Sequence, residues 1–133
     1  EHEILLFAGP DDAKKQEKIF SILKEQGIKI AKNNPMNTDK EFFSLLNSCS
    51  QVVCFDSFAL HTSLALKKPT TCLFFCSPPD EIEGYGLLNK IVSPLLYDFF
   101  PERMDEYSEE LVKSVPVGQV LKALSTLKKD ERA

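Results

Sequence analysis

The sequence predicts an α/β fold, a Rossmann-like three-layer sandwich with a parallel sheet of about five strands and helices on both faces. Two observations carry this expectation. Short apolar runs alternate with single helix-length segments along most of the chain, the pattern of repeated strand–helix–strand units. Turn and cap residues also fall at the junctions: Gly9-Pro10, Gly27, Thr38, Pro69 and Pro116. With 133 residues, 43% of them hydrophobic, the chain is expected to form a single domain, 1–133, with its own core.

Each element has a local reason. Residues 3–7 read as the first strand and Ala8-Gly9-Pro10-Asp11 as a turn. Residues 12–26 read as a helix with Ala13, Ile19, Ile22 and Leu23 on its inner stripe. Gly27 ends it where a left-handed residue is favoured. Residues 28–31 form a second short strand and 32–37 a polar loop. Thr38, with Glu41 three residues on, makes a capping box for a helix that turns Phe42, Phe43, Leu45 and Leu46 inward. The third strand is expected over 51–55 and the third helix over 57–68, closed by Pro69. Residues 70–75 form a fourth strand, a short helix follows Ser77-Pro78-Pro79-Asp80, and 90–92 form a fifth strand. Residues 95–104 read as irregular and aromatic. Closing helices are expected over 105–114 and 117–128, with Pro116 at a helix start, where its missing N–H is not needed.

Composition excludes several function classes. The net charge is −4 and the 16 basic residues are scattered, with no basic stripe interleaved with aromatics, so nucleic acid is not an expected partner. No apolar run approaches the roughly 20 residues of a membrane span. The four cysteines, Cys49, Cys54, Cys72 and Cys76, form no C-x-x-C pair, and with two histidines no metal site is expected. They read as reduced thiols of a cytoplasmic protein. The chain opens at Glu1 and enters a strand within three residues, which reads as a piece of something longer.

Ligands of parallel α/β sheets bind beyond the carboxyl ends of the strands. Here that edge comprises residues 8–12, 32–38, 56–58 and 76–86. The most informative stretch is 52–61, Val-Val-Cys-Phe-Asp-Ser-Phe-Ala-Leu-His. A buried strand runs straight into Asp56 and Ser57 at the head of a helix, whose first amides lack internal partners and carry partial positive charge. Phosphate suits such a place. His61 lies four residues after Ser57, so one turn along the helix the two side chains are expected to look the same way. The plainer alternative is that Asp56 or Ser57 caps the helix. A second alternative is a receiver-like phosphoacceptor domain, with Asp11 and Asp12 as the acidic pair, Asp56 as acceptor and Ser77 after the fourth strand. Against it, Lys90 sits at the start of the fifth strand rather than its end, and Gly9-Pro10 displaces the acidic pair from its strand.

Four fragments in order resemble one family over nearly the whole chain. They are Leu5-Leu6-Phe7-Ala8-Gly9-Pro10; Asp56-Ser57-Phe58-Ala59-Leu60-His61 followed by Lys68-Pro69 and a strand; Phe74-Phe75-Cys76-Ser77-Pro78-Pro79-Asp80 with Gly84-Tyr85-Gly86; and the segment 115–124. The sequence resembles the C-terminal, donor-binding half of a GT-B type glycosyltransferase of family 9, the heptosyltransferases of lipopolysaccharide core assembly. The resemblance implies an inverting, metal-independent transferase without a cofactor, whose donor is an ADP-sugar. Asp56, Ser57, Phe58 and His61 would hold the donor's diphosphate and sugar, Met36 would contact adenine, and Ser77, Asp80 and Gly84 would form a second loop. The acceptor and catalytic base would lie on an N-terminal, acceptor-binding domain, together with any peripheral contact with the cytoplasmic face of the inner membrane. This chain alone is therefore expected to be inactive. The first strand and helix of the family's donor half have no counterpart here, and direct pairing in the order 2-1-3-4-5 is expected to close the gap. Two departures stand out: Phe58 and Phe75 occupy positions where the family has glycine. Beside a phosphate, glycine lets amides approach closely, so the rings imply a narrowed pocket, an altered donor, or a non-catalytic interaction domain with a degenerate site.

Overall fold

The structure, a computed structural model, describes residues 2–132, with side chains through residue 126. It is α/β, with parallel sheets and helices around them, divided into two compact units, Glu1–Cys49 and Ser50–Ala133. All five expected strands form. They pair as a two-stranded and a three-stranded sheet, so neither the single sheet of about five strands nor the order 2-1-3-4-5 is found among the described residues. Apolar runs reveal that a strand exists. Its neighbour is chosen by backbone hydrogen bonds, which leave no mark on the sequence.

In the first unit, β1 (Ile4–Leu6) pairs in parallel with β2 (Ile30–Lys32), Ile4 opposite Ile30. The connecting helix α1 (Ala13–Glu25) follows a 3-10 turn at Pro10–Asp12. Gly27 adopts a positive φ of 76°. The amides of Gly27 and Ile28 reach back to the carbonyls of Lys24 and Leu23, at 3.0 and 3.1 Å, the two bonds of a Schellman stop. The inner stripe of α1 differs from expectation. Ile19 and Ile22 are 39% and 45% exposed, whereas Gln16 is buried at 4% and Ala13, Phe20 and Leu23 are half-buried. Those four follow i, i+3, i+7, i+10 spacing, and a stripe chosen by hydrophobicity alone passes over its glutamine.

Helix α2 (Asp39–Asn47) starts with the expected capping box: Thr38 Oγ1 accepts from Glu41 N–H at 3.2 Å, and Glu41 Oε1 accepts from Thr38 N–H at 3.0 Å. The Thr38 backbone N–H, with its hydroxyl alongside, favours the ionised form and holds the Glu41 carboxyl below its ordinary pKa. Leu46 is buried, while Phe43, expected inward, is exposed; Phe42 stands edge-on to Phe7, ring centres 5.5 Å apart.

In the second unit β4 (Thr70–Phe74) lies between β3 (Val52–Phe55) and β5 (Leu88–Val92), all parallel. Helix α3 (Phe58–Ala65) connects β3 to β4. It is apolar nearly all round, as befits a helix packed over a central strand, and its inner hydroxyls satisfy themselves. Thr62 donates to the Phe58 carbonyl at 2.9 Å and Ser63 to that of Ala59 at 2.6 Å. Leu60 of α3 meets Cys72 and Phe74 of β4 and Leu96 in one fully buried cluster, with Cys54, Leu64, Ile82 and Leu88 against it.

The loop into β5 is tight. A Cβ on Gly84 would come 2.8 Å from that of Leu88, so only glycine fits. Because the Thr70 amide already bonds the Leu87 carbonyl at 2.8 Å, β5 begins two residues earlier than expected and Lys90 falls at its middle. Residues 95–104, expected irregular, contain a helical turn α4 (Leu96–Phe99) that buries Leu96 and Phe99. The chain continues through α5 (Glu109–Lys113) to α6 (Val117–Arg132), which Asn89 ties to β5 by a 3.1 Å bond to the Ala123 carbonyl. Among the described residues no helix is long and apolar enough to cross a membrane.

Candidate functional site

The head of α3 is built from β3 outward. The strand, expected to be buried, is an edge strand with Val52 buried but Val53 and Phe55 exposed, and it delivers Asp56 and Ser57, both exposed, to the first turn of the helix. Ser57 occupies the N-cap position in extended backbone, φ −155° and ψ 179°, yet its side chain caps nothing. Its hydroxyl donates backwards to the Phe55 carbonyl at 3.3 Å. By contrast, Thr38 and Ser108 cap α2 and α5 with their hydroxyls. The capping role available to Ser57 is thus unused. His61, one turn along the helix from Ser57, is likewise exposed.

His61 opens elsewhere. With Leu64 and Ala65 of α3, and Glu81, Ile82, Glu83 and Tyr85 of the loop between β4 and β5, it lines a cleft of about 450 Å³. Asp56 and Ser57 lie at the head of α3, outside that lining. Of the second loop expected at Ser77, Asp80 and Gly84, none lines the cleft; Gly84 instead sets the backbone between Glu83 and Tyr85, two residues that do. Tyr85 takes a positive φ of 51°, and its amide donates to Glu83 Oε1 at 3.0 Å.

The loop is fastened from below. The Lys90 ammonium donates to the carbonyls of Pro79 and Ile82, both at 2.6 Å. Sequence reasoning weighed Lys90 only as a receiver lysine; its alternation in the strand was the available sign that it points under this loop. The two phenylalanines leave His61 uncovered. Phe75 packs at a tilt against Phe55, ring centres 5.8 Å apart, and lines a separate apolar groove with Leu111, Val112 and Val115, while Phe58 is 58% exposed.

Among models of known protein families, residues 1–111 match that of glycosyltransferase family 9 (heptosyltransferase). The chain belongs to glycosyltransferase family 9. No curated protein and no solved structure matches it. For a family 9 glycosyltransferase the substrates are a nucleotide-sugar donor and an acceptor, so sites for phosphate and for polyols are the chemistry to look for.

The first unit of this family 9 chain adds a polar clamp that sequence reasoning missed. Asn33, at the end of β2, is 5% exposed. Its Oδ1 accepts from the Ala8 amide at 2.9 Å and from Gln16 Nε2 at 2.7 Å; its Nδ2 donates to the Ala8 carbonyl at 3.1 Å and to Asn37 Oδ1 at 2.7 Å. Gln16 also donates to the Leu6 carbonyl at 2.9 Å. Loops 8–12 and 32–38 are thereby joined at the carboxyl end of their sheet. The run Asn33-Asn34-Pro35-Met36-Asn37 was the available signal, since asparagine side chains organise turns. Met36 rides on this loop, 74% exposed, its amide held by Asn34 Oδ1 at 2.9 Å. Asp11 and Asp12 are exposed on the opening turn, Asp12 paired with Lys15 at 3.7 Å. Among the described residues no three His, Cys, Asp or Glu side chains converge as a metal site.

Proposed function

We propose that this chain is the donor-binding part of an inverting glycosyltransferase and that its donor is an ADP-sugar of the heptose type. The observation that carries the reading is the head of α3, where an apolar strand delivers Asp56 and Ser57 to a helix start that no side chain caps. An anion placed there meets backbone N–H groups and the positive end of the helix. The Ser57 hydroxyl needs only a rotation away from the Phe55 carbonyl to join it, giving up one long hydrogen bond of 3.3 Å.

As the glycosidic bond to the nucleoside diphosphate breaks, negative charge grows on the departing phosphates. Fixed donors already aimed at that oxygen lower the barrier, because nothing has to reorganise as the charge appears. Asp56 orients the turn, and His61 contributes from the cleft side. The sugar acceptor and the base that activates it belong to an acceptor-binding domain, and transfer is an activity of the two halves together, on the cytoplasmic face of the inner membrane in lipopolysaccharide core synthesis.

Titration of the isotope-labelled chain with ADP and with an ADP-sugar, followed by amide NMR, tests the reading. Binding in the upper micromolar to millimolar range is expected, since a half-cleft is not preorganised. The amides of residues 56–61 should move. Shifts confined to the amino-terminal ends of β3, β4 and β5 would overturn the assignment.

A further inference from the structure

Cys54 of β3 and Cys72 of β4 are direct register partners in the parallel sheet, and neither is disulfide-bonded. Register partners share a face, and parallel strands lie about 4.8 Å apart, inside the ~4.4–6.8 Å span over which two Cα atoms accept a disulfide. The two thiols are near enough for each to influence the other's ionisation. They differ in access: Cys72 is wholly buried against Leu60 and Phe74, whereas Cys54 is half-buried. Cys49 and Cys76 have no cysteine as a register partner.

We propose that Cys54 and Cys72 form a redox-modifiable dithiol, oxidised by peroxide to a reversible bridge between β3 and β4. The two cysteines divide the labour. The neighbouring Cys72 thiol, able to donate to a Cys54 thiolate, lowers the Cys54 pKa against the opposing effects of burial and of Asp56. The same neighbour, with burial, pushes the Cys72 thiol well up and keeps it protonated. Cys54 is therefore the attacking sulfur and Cys72 the resolving one.

The chemistry balances with hydrogen peroxide as oxidant. The Cys54 thiolate attacks one peroxide oxygen; the O–O bond breaks, and the hydroxide that leaves takes up the proton Cys54 had released, giving water and a sulfenic acid on Cys54. The Cys72 sulfur then attacks the Cys54 sulfur. The S–S bond forms as the S–O bond breaks, and the departing hydroxide leaves as water with the Cys72 proton. Two thiols are oxidised and one peroxide is reduced to two waters. A dithiol reductant reverses the bridge through a mixed disulfide.

The test treats the reduced full-length chain with hydrogen peroxide, alkylates what remains under denaturing conditions, and reads intact mass and peptides. The expected result is the joint loss of two alkylation sites, a cross-linked peptide pair containing Cys54 and Cys72, and recovery of both sites with dithiothreitol. The Cys49→Ser/Cys76→Ser double variant should behave identically. Cys54→Ser should leave Cys72 fully alkylated. A cross-link that maps to Cys49 or Cys76 would overturn the proposal. So would a Cys54 that stops at the sulfenic or sulfinic acid while Cys72 remains alkylatable in the wild-type chain.

Discussion

Replacing Asn33 by alanine probes the polar clamp of the first unit and should destabilise it severely for a single-residue change. Five side-chain hydrogen bonds disappear: those with the Ala8 amide, the Ala8 carbonyl, Gln16, Asn37 and, longest of them, the Asn34 carbonyl. They are not equal. Gln16 keeps the Leu6 carbonyl and Asn37 can turn to water, so each loss there is worth about 0.5–1 kcal/mol. The Ala8 amide and carbonyl lose a paired partner in a part-buried place, which costs about 1–2 kcal/mol more, for a total of about 2–4 kcal/mol. Urea unfolding of the full chain gives the magnitude, and hydrogen exchange at the Ala8 amide gives the place. That amide should pass from protected to freely exchanging. Asn33→Asp sharpens the test, because its carboxylate still accepts from Ala8 and Gln16 but faces the Ala8 carbonyl and Asn37 Oδ1 with the wrong sign. The variant's carboxyl pKa should be raised in the folded state. Its stability is then greatest below the unfolded carboxyl's pKa and falls as pH rises through the folded value. If Asn33→Ala costs less than about 0.5 kcal/mol and Ala8 stays protected, the clamp is a set of water-exchangeable contacts and the reasoning fails.

Three further outcomes are expected. Phe58→Gly should cost about 1 kcal/mol, because a ring 58% exposed forfeits only part of its burial and glycine in the first turn adds a little more. ADP affinity by calorimetry should barely change, and a tenfold gain, about 1.4 kcal/mol, would show that the ring occludes the helix head. Lys90→Met removes both carbonyl contacts under the loop and should cost about 1–2 kcal/mol; NMR relaxation should find residues 79–82 newly mobile, and an unchanged loop would mean the ammonium is dispensable. Thr38→Ala should cost about 1 kcal/mol by urea unfolding. Because the Glu41 carboxyl is held below its ordinary pKa, the capping box contributes above the unfolded value and fades as pH falls through the folded one, so Glu41→Gln should flatten that part of an acid titration.

Local chemistry was readable from the sequence, and long-range choices were not. Gly27 and Thr38 announced a helix stop and a helix start because each motif is completed within a few residues. The family resemblance at 56–61 was legible for the same reason, as a contiguous strand, turn and helix. What Ser57 does there was not, since its hydroxyl chooses between a capping bond and the Phe55 carbonyl by backbone angles no residue type dictates. Gln16 and Asn33 were passed over because polarity argues for the surface, and their burial becomes affordable only once Ala8, Leu6 and Asn37 are near. Glu81 and Glu83 escaped notice, and Tyr85 was noted only as part of Gly84-Tyr85-Gly86. Which loop residues face a cleft depends on where Lys90 pulls the backbone.

That lysine divides the loop into a foundation and a tip. Residues 79–82 are set by a charge rooted in the strand beneath them, and Gly84 fixes the return of the chain beside Leu88. The tip residues that line the cleft, Glu83 and Tyr85, are tied to each other, Glu83 Oε1 accepting from the Tyr85 amide, rather than to the strand. The tip of the loop and its fastening are therefore carried by separate residues only a few positions apart. Exchanging Glu83 and Tyr85 should reshape the lining of the cleft while the sheet below stays as it is.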